Sequence, residues 1–321
     1  MYLARRLFSI LVTLLIALTI VFVLFRLLPG DPASALLGPL SSQEARDNLT
    51  ESLGLDKPML EQYGIYLGNL VQLDLGTSFS QRLPVMDVVW PAFVNSLILV
   101  LATFIVAYGL GALLGVVLAW YRGTRFEAIG SFAALALRGA PTFWIAILLV
   151  SLFALNLKWL PAAGMTSIQN TGEVSLSTYL SWDFVKHLIL PVAAASIYAL
   201  GLPLLLVRNS MLDVIGTPYV ELARAKGLSQ KSVMFKHAAR NAMLPAVTAS
   251  AQFIAWAMGG LVVVENVFSW PGLGTTIVDA LEVRDYQLAQ GALASIAALV
   301  VSLMLIADLV TAYLDPRVKL S

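Results

Sequence analysis

Thr217-Pro218-Tyr219-Val220-Glu221-Leu222-Ala223-Arg224-Ala225-Lys226-Gly227-Leu228-Ser229 is a polar stretch in a chain that is otherwise mostly apolar. Thr217 stands at an N-cap position and Pro218 at the first helical position, where a missing N–H costs nothing and φ is already helical. The helix runs through Lys226 and stops at Gly227, a residue suited to the left-handed conformation that ends helices. Ser229 caps a second helix through Val233, His237 and Asn241, which ends before Pro245. The spacing predicts a helix-Gly-helix elbow. Lys226, Lys231, Lys236 and Arg240 suit an anionic lipid surface, at about 1 kcal/mol each. Against that, Ala223, Ala225 and Gly227 give the first helix a small face, where a surface-seeking helix wants Trp, Phe or Leu. A small face permits close insertion into a protein groove. Glu221, in the first turn, is favoured by the helix dipole and is placed to pair with a cation of that groove.

Outward from the elbow the chain is membrane. Of its 321 residues, 59% are hydrophobic and 12% charged, with a mean hydropathy of +0.83; an ordinary soluble domain carries about twice that charged fraction. A soluble enzyme is excluded. Twenty Lys plus Arg against nineteen Asp plus Glu leave a net charge of +1, so no long-range field points to nucleic acid. With no cysteine, disulfide and thiolate chemistry are absent, and His187 and His237 are too far apart in this topology to share a metal.

Six apolar runs are long enough for helical crossings: Leu7 to Leu28, Leu97 to Trp120, Ile129 to Leu157, Leu188 to Val207, Ala246 to Val267 and Leu288 to Leu314. The reading is an all-α polytopic membrane protein with six transmembrane helices. The first run is longer than the roughly 7 to 15 residues of a signal h-region, so it is read as a retained helix. With the N-terminus cytoplasmic, twelve Lys and Arg fall on inner segments and six on the longer outer ones, as the positive-inside rule expects. Both termini are then cytoplasmic. The expected organisation is an N-terminal transmembrane helix over 1–28, an extracytoplasmic loop domain over 29–92, a transmembrane core over 93–314 that includes the 208–245 loop, and a cytoplasmic tail over 315–321. In the outer segment, Ser41-Ser42-Gln43-Glu44 and Leu55-Asp56-Lys57-Pro58 each start a helix. That segment reads either as solvated loop or as an external docking surface.

Four charges fall inside the runs. Arg26 and Glu265 lie near the outer boundary, where Arg can snorkel and Glu can stay wet. Arg138 is about 14 Å into its run, so it should face a cavity or pair with an acid; Asp308 is one candidate partner. Pro141, Pro191 and Pro203 interrupt backbone bonding, as static kinks or as hinges, and Gly111-x-x-x-Gly115 and Gly259-Gly260 permit close helix approach.

The elbow, with Lys236-His237-Ala238-Ala239-Arg240-Asn241-Ala242-Met243-Leu244-Pro245 behind it, resembles the EAA cytoplasmic loop of ABC-importer permeases of the dipeptide, oligopeptide and nickel branch. Pro29-Gly30-Asp31-Pro32, Phe268-Ser269-Trp270-Pro271-Gly272-Leu273-Gly274 and Leu314-Asp315-Pro316-Arg317 resemble the same branch in the same order, so the likeness covers nearly the whole chain. Leu222 departs from the motif's Ala, and Arg138 stands where a small or uncharged residue is expected. The resemblance implies a type I ABC importer permease fold in a bacterial inner membrane. It implies a second, non-identical permease, two ATP-binding subunits, an extracytoplasmic solute-binding protein and surrounding lipid as partners. It makes Tyr219, Glu221, Ala223, Arg224, Lys226 and Gly227 the ATPase-coupling residues. Arg138, Pro141 and Glu265 are candidates for the substrate path. No Gly-x-x-x-x-Gly-Lys-Ser/Thr occurs, so ATP and Mg²⁺ belong to partner subunits and the chain carries no cofactor. A stand-alone carrier or channel is the competing reading, although no inverted repeat with midplane acids supports it.

Overall fold

A computed structural model describes residues 2–27, 56–167 and 176–314, together with Ser42, Glu44, Thr50 and Glu51. The Pro29-to-Pro32 stretch, the Asp315-to-Arg317 stretch and most of the Ser41-to-Glu44 helix start lie outside the described residues. In chain order the main helices are α1 (Tyr2–Leu27), α2 (Met59–Val71), α3 (Val85–Trp120), α4 (Arg125–Gly139), α5 (Thr142–Leu149), α6 (Trp182–Ala199) and α7 (Gly201–Ile215). There follow α8 (Pro218–Ala225), α9 (Leu244–Thr248), α10 (Ser250–Val267), α11 (Leu273–Glu282) and α12 (Tyr286–Leu314). Among the described residues the only β pairing is a single bridge between Thr77 and Pro84.

Among the described residues three helices are long and apolar enough to cross a membrane unaided: α1, α3 and α12. At 36 residues, α3 is about 54 Å long, well beyond a hydrocarbon core of about 30 Å. Two helix pairs among the described residues pass the same test of length and composition only when each pair is taken together, and both are bent. The run from Ile129 to Leu157, expected as one helix, is α4 followed by α5 at an angle of 103°. The cause is local: Ala140 precedes Pro141, which disfavours helical backbone there, and both residues are extended, at ψ 136° and 133°. The run from Leu188 to Val207 is α6 and α7, bent by 45°. Pro203 has no N–H to offer the Ala199 carbonyl, a sufficient reason for a kink. Pro191, by contrast, lies inside α6.

Residues 1–96 and 271–302 form one compact unit, and residues 97–270 and 303–321 a second. In the first, Phe25, Val85, Val89, Leu273, Ile277 and Leu288 make a buried cluster from α1, α3, α11 and α12. The outer end of α1 also packs on α2, with Tyr63 and Tyr66 against the Phe22 ring and a 2.6 Å hydrogen bond between the Thr19 and Tyr63 hydroxyls. The turn that enters α12 is held by Asp285, 1% exposed. Its carboxylate accepts from the Ser78 hydroxyl at 2.6 Å, the Ser80 hydroxyl at 2.8 Å, the Ser80 N–H at 2.9 Å and the Leu288 N–H at 3.1 Å. Burial pushes the carboxyl's pKa up, but these donors outweigh it and hold Asp285 below the ordinary carboxylate range.

The second unit has its main core where α3, α5, α6 and α10 meet, around Leu99, Ile145, Leu190, Phe253 and Leu261. Phe268 and Trp270, at the end of α10, are fully enclosed by it. The Gly111-x-x-x-Gly115 spacing does bring backbones together. A Cβ on Gly111 would lie 2.9 Å from the Leu200 carbonyl oxygen, and one on Gly115 2.6 Å from that of Leu204. Glycine is therefore needed wherever α3 crosses α7.

Candidate functional site

The elbow is built at the foot of the second unit. Helix α8 starts at Pro218, with Thr217 in extended backbone at ψ 148° before it. The Thr217 hydroxyl does not cap α8; it turns back and donates to the Val214 carbonyl at 2.6 Å, fastening the end of α7 instead. At the other end Gly227 has φ +75°. Its N–H donates to the Arg224 carbonyl at 2.9 Å, and the Leu228 N–H reaches back to the Ala223 carbonyl at 3.4 Å. This pair of bonds is the Schellman termination, which needs a left-handed residue at that point. Ser229 then caps the second arm by accepting from the Ser232 N–H at 3.4 Å.

That second arm is less regular than a single helix. A π-helical segment, Val233–Ala238, lies between short α-helical pieces at Gln230–Ser232 and Ala239–Ala242. A turn at Met243 ends the arm, and Pro245 falls in the first turn of α9 rather than after the last helix. The proline thus fits where its missing N–H is harmless.

Both arms pack on the rest of the unit through a cluster of Val116, Ala119, Val207, Met211, Ile215, Val220, Ala223, Val233 and Met234. Ala223 is 5% exposed, so its side chain belongs to this core, and the small face expected of α8 is divided. Ala225 and Gly227 are exposed, as are Tyr219, Glu221, Leu222, Arg224 and Lys226. Ridge spacing explains the division, because Val220 and Ala223 stand three residues apart on one side of the helix. Two outward residues also hold the elbow to its base. The Arg224 guanidinium lies over the Trp120 ring, 5.4 Å from its centroid, a contact of about 0.5–1 kcal/mol at an exposed site. The Tyr219 hydroxyl accepts from Asn241 Nδ2 at 2.9 Å and joins the two arms.

Beside the elbow, Arg208 on α7 reaches Glu127 at the start of α4. Its Nε donates to Glu127 Oε1 at 2.9 Å, and its Nη2 pairs with the same oxygen. Glu127 Oε2 accepts from the Gly123 N–H at 2.9 Å, while the Glu127 N–H donates to Thr124 Oγ1. Sequence reading missed this pair, although Thr124-x-x-Glu127 has the spacing of a reciprocal helix cap. Trp120 carried no signal of its role, since only folding brings it beneath Arg224.

The substrate-path candidates fall in two places. Arg138 and Pro141 flank the break between α4 and α5, with Arg138 exposed. Glu265 is 2% exposed near the end of α10, and its backbone carbonyl accepts from the Trp270 N–H at 2.8 Å. Arg138 has no ion pair among the described residues, so the pairing with Asp308 considered from the sequence is not formed.

Residues 111–320 match the family described as binding-protein-dependent transport system inner membrane component, and residues 1–102 match the N-terminal region of such proteins. The chain belongs to this family. The dipeptide transport system permease protein DppB of Alkalihalophilus pseudofirmus is 36% identical, over 99% of both chains. The di/tripeptide transport system permease protein DppB of Pseudomonas aeruginosa is 34% identical, over 99% of this chain and 98% of that one. The oligopeptide transport system permease protein AppB of Bacillus subtilis is 34% identical, over 96% of each. The chain is thus a multi-pass inner-membrane permease subunit of an ABC importer, not an enzyme.

Proposed function

We propose that this permease forms half of the translocation pathway for short peptides, handed over by an extracytoplasmic binding protein. A second, non-identical permease supplies the other half. Two partner subunits bind ATP and Mg²⁺, and α8 docks in one of them. The observation that carries this reading is the elbow's construction: an α8 whose inner side is locked into the core while Tyr219, Glu221, Leu222 and Lys226 are presented outward. The relatives that transport dipeptides, tripeptides and oligopeptides support peptide as cargo.

On this reading, closure of the ATPases displaces α8, and the shared cluster passes the movement to α3 and α7 as one body. Arg224 over Trp120 and Tyr219 with Asn241 keep the elbow from swivelling on its base. The two bent spans give the unit places to flex. The domain organisation follows: an N-terminal helix over 1–28, an outer segment over 29–92 facing the binding protein, and a permease core over 93–314.

The test is co-purification and uptake. Reversing charge with Glu221→Lys should reduce the ATPase recovered with the permease at least severalfold, and undiminished recovery would contradict docking through α8. In vesicles, the permease pair without ATPases should move no peptide; uptake driven by an ion gradient alone would favour a self-sufficient carrier.

A further inference from the structure

The two interrupted spans of the second unit meet at their interruptions. Gly201, the first residue of α7, lies so close to α4 that a Cβ on it would stand 2.9 Å from the Ala134 carbonyl oxygen and 3.2 Å from Arg138 Cβ. The break in one span thus lies beside the last turn of α4, one residue before its own break begins. Depth follows from the Arg208–Glu127 pair, which marks the inner charged layer on both helices. Arg138 is eleven residues beyond Glu127 and Gly201 seven from Arg208, or roughly 16 Å and 10 Å along the two axes. Half of a hydrocarbon core is about 15 Å, so with α4 along the membrane normal the base of the Arg138 side chain stands within the hydrocarbon, about 10–16 Å above that charged layer.

A guanidinium at that depth is costly among acyl chains, and its three-methylene stem covers only part of the way to the headgroups. It should be paired within the chain or face water. Arg138 is exposed and has no ion pair among the described residues. We propose that Arg138 faces the water-filled path at the crossing of the two broken spans and holds the free C-terminal carboxylate of the transported peptide. This rests on the peptide-permease reading above. The chemistry suits a transported ligand: every linear peptide carries that carboxylate, and the planar guanidinium takes it with two parallel N–H donors whatever the side chains. A single hydrated arginine orients the cargo without trapping it.

The chain contains no cysteine, so an introduced cysteine is its single thiol and its labelling is read on this chain's own band. In the complete reconstituted importer, Arg138→Cys should react with a membrane-impermeant charged thiosulfonate at least tenfold faster than Phe132→Cys, which replaces an apolar side chain 73% exposed on the same helix. Equal rates would overturn the proposal, meaning that the position faces lipid or is covered by the second permease. The ligand is tested with trialanine and trialanine amide, each uptake rate divided by the amount held on the binding protein. Arg138→Gln should lower the acid-to-amide ratio about tenfold, and Arg138→Lys should restore most of it. An unchanged ratio, or acid and amide slowed alike, overturns the carboxylate role. Failure of the unmodified importer to move either peptide would instead sink the peptide reading itself, so the two failures are distinct.

Discussion

Gly227 combines a φ of +75° with open space where a side chain would be, so the effect of substitution there is conformational and not steric. Gly227→Val should cost about 1–2 kcal/mol at the elbow and lower the peptide moved per ATP hydrolysed, while Gly227→Asn, which tolerates the left-handed region, should stay close to the parent. The ratio of uptake to hydrolysis in vesicles checks both. Asp285 works differently. Replacing it with Asn leaves buried donors facing a poorer acceptor, and about 1.5–3 kcal/mol of stability should be lost in thermal unfolding at neutral pH. Because its folded pKa is depressed, its contribution is present above the unfolded value, near 3.9, and disappears as pH falls through the lower folded value. The parent should therefore lose its advantage over Asp285→Asn progressively below about pH 4. Gly227 announces itself through the Thr-Pro start and Gly stop around α8. Asp285 does not, since its partners Ser78 and Ser80 lie some 200 residues away and only the tertiary fold joins them.

Among the elements, α8 and the crossing of α3 with α7 give the clearest contrasts. Ala223→Leu would force three extra carbons into a filled cluster, and should lower the melting temperature by an amount equivalent to about 1–3 kcal/mol. Ala225→Leu, on the exposed side of the same helix, should leave melting unchanged and reduce ATPase recovery. Gly115→Ala sets a Cβ 2.6 Å from the Leu204 carbonyl, so helix must move from helix, whereas Gly109→Ala meets nothing and should be neutral or slightly stabilising. Scanning thermal unfolding of the four variants, with co-purification of the ATPase for Ala225→Leu, checks these outcomes. The elbow and the glycine crossing were readable because capping residues and small-residue spacing are local signals. The sharp turn between α4 and α5 was not, since hydropathy measures how apolar a run is and is blind to its direction. Gly139-Ala140-Pro141 was visible, but nothing local sets a 103° bend apart from a mild kink.

For the whole molecule, composition alone excluded a soluble enzyme, and the order of four short motifs pointed to the family before any geometry was known. The span inventory was less accessible: six apolar runs correspond to three continuous spans, two bent pairs and α10 behind the short α9. Sequence reading left Arg138 either facing a cavity or paired with an acid, and the fold leaves it exposed beside the two breaks, without an ion pair among the described residues. The two-sided build of α8 also bears on how such importers diversify. Its inward residues, with Tyr219 and Arg224, are answerable to this chain's own stability, and on the docking proposed above its remaining outward ones answer only to the foreign surface. Grafting Glu221, Leu222, Ala225 and Lys226 from a paralogous permease should thus reassign which motor is recruited while the recipient folds as before. On the docking proposed above, lineages are free to trade engines by changing a handful of exposed side chains.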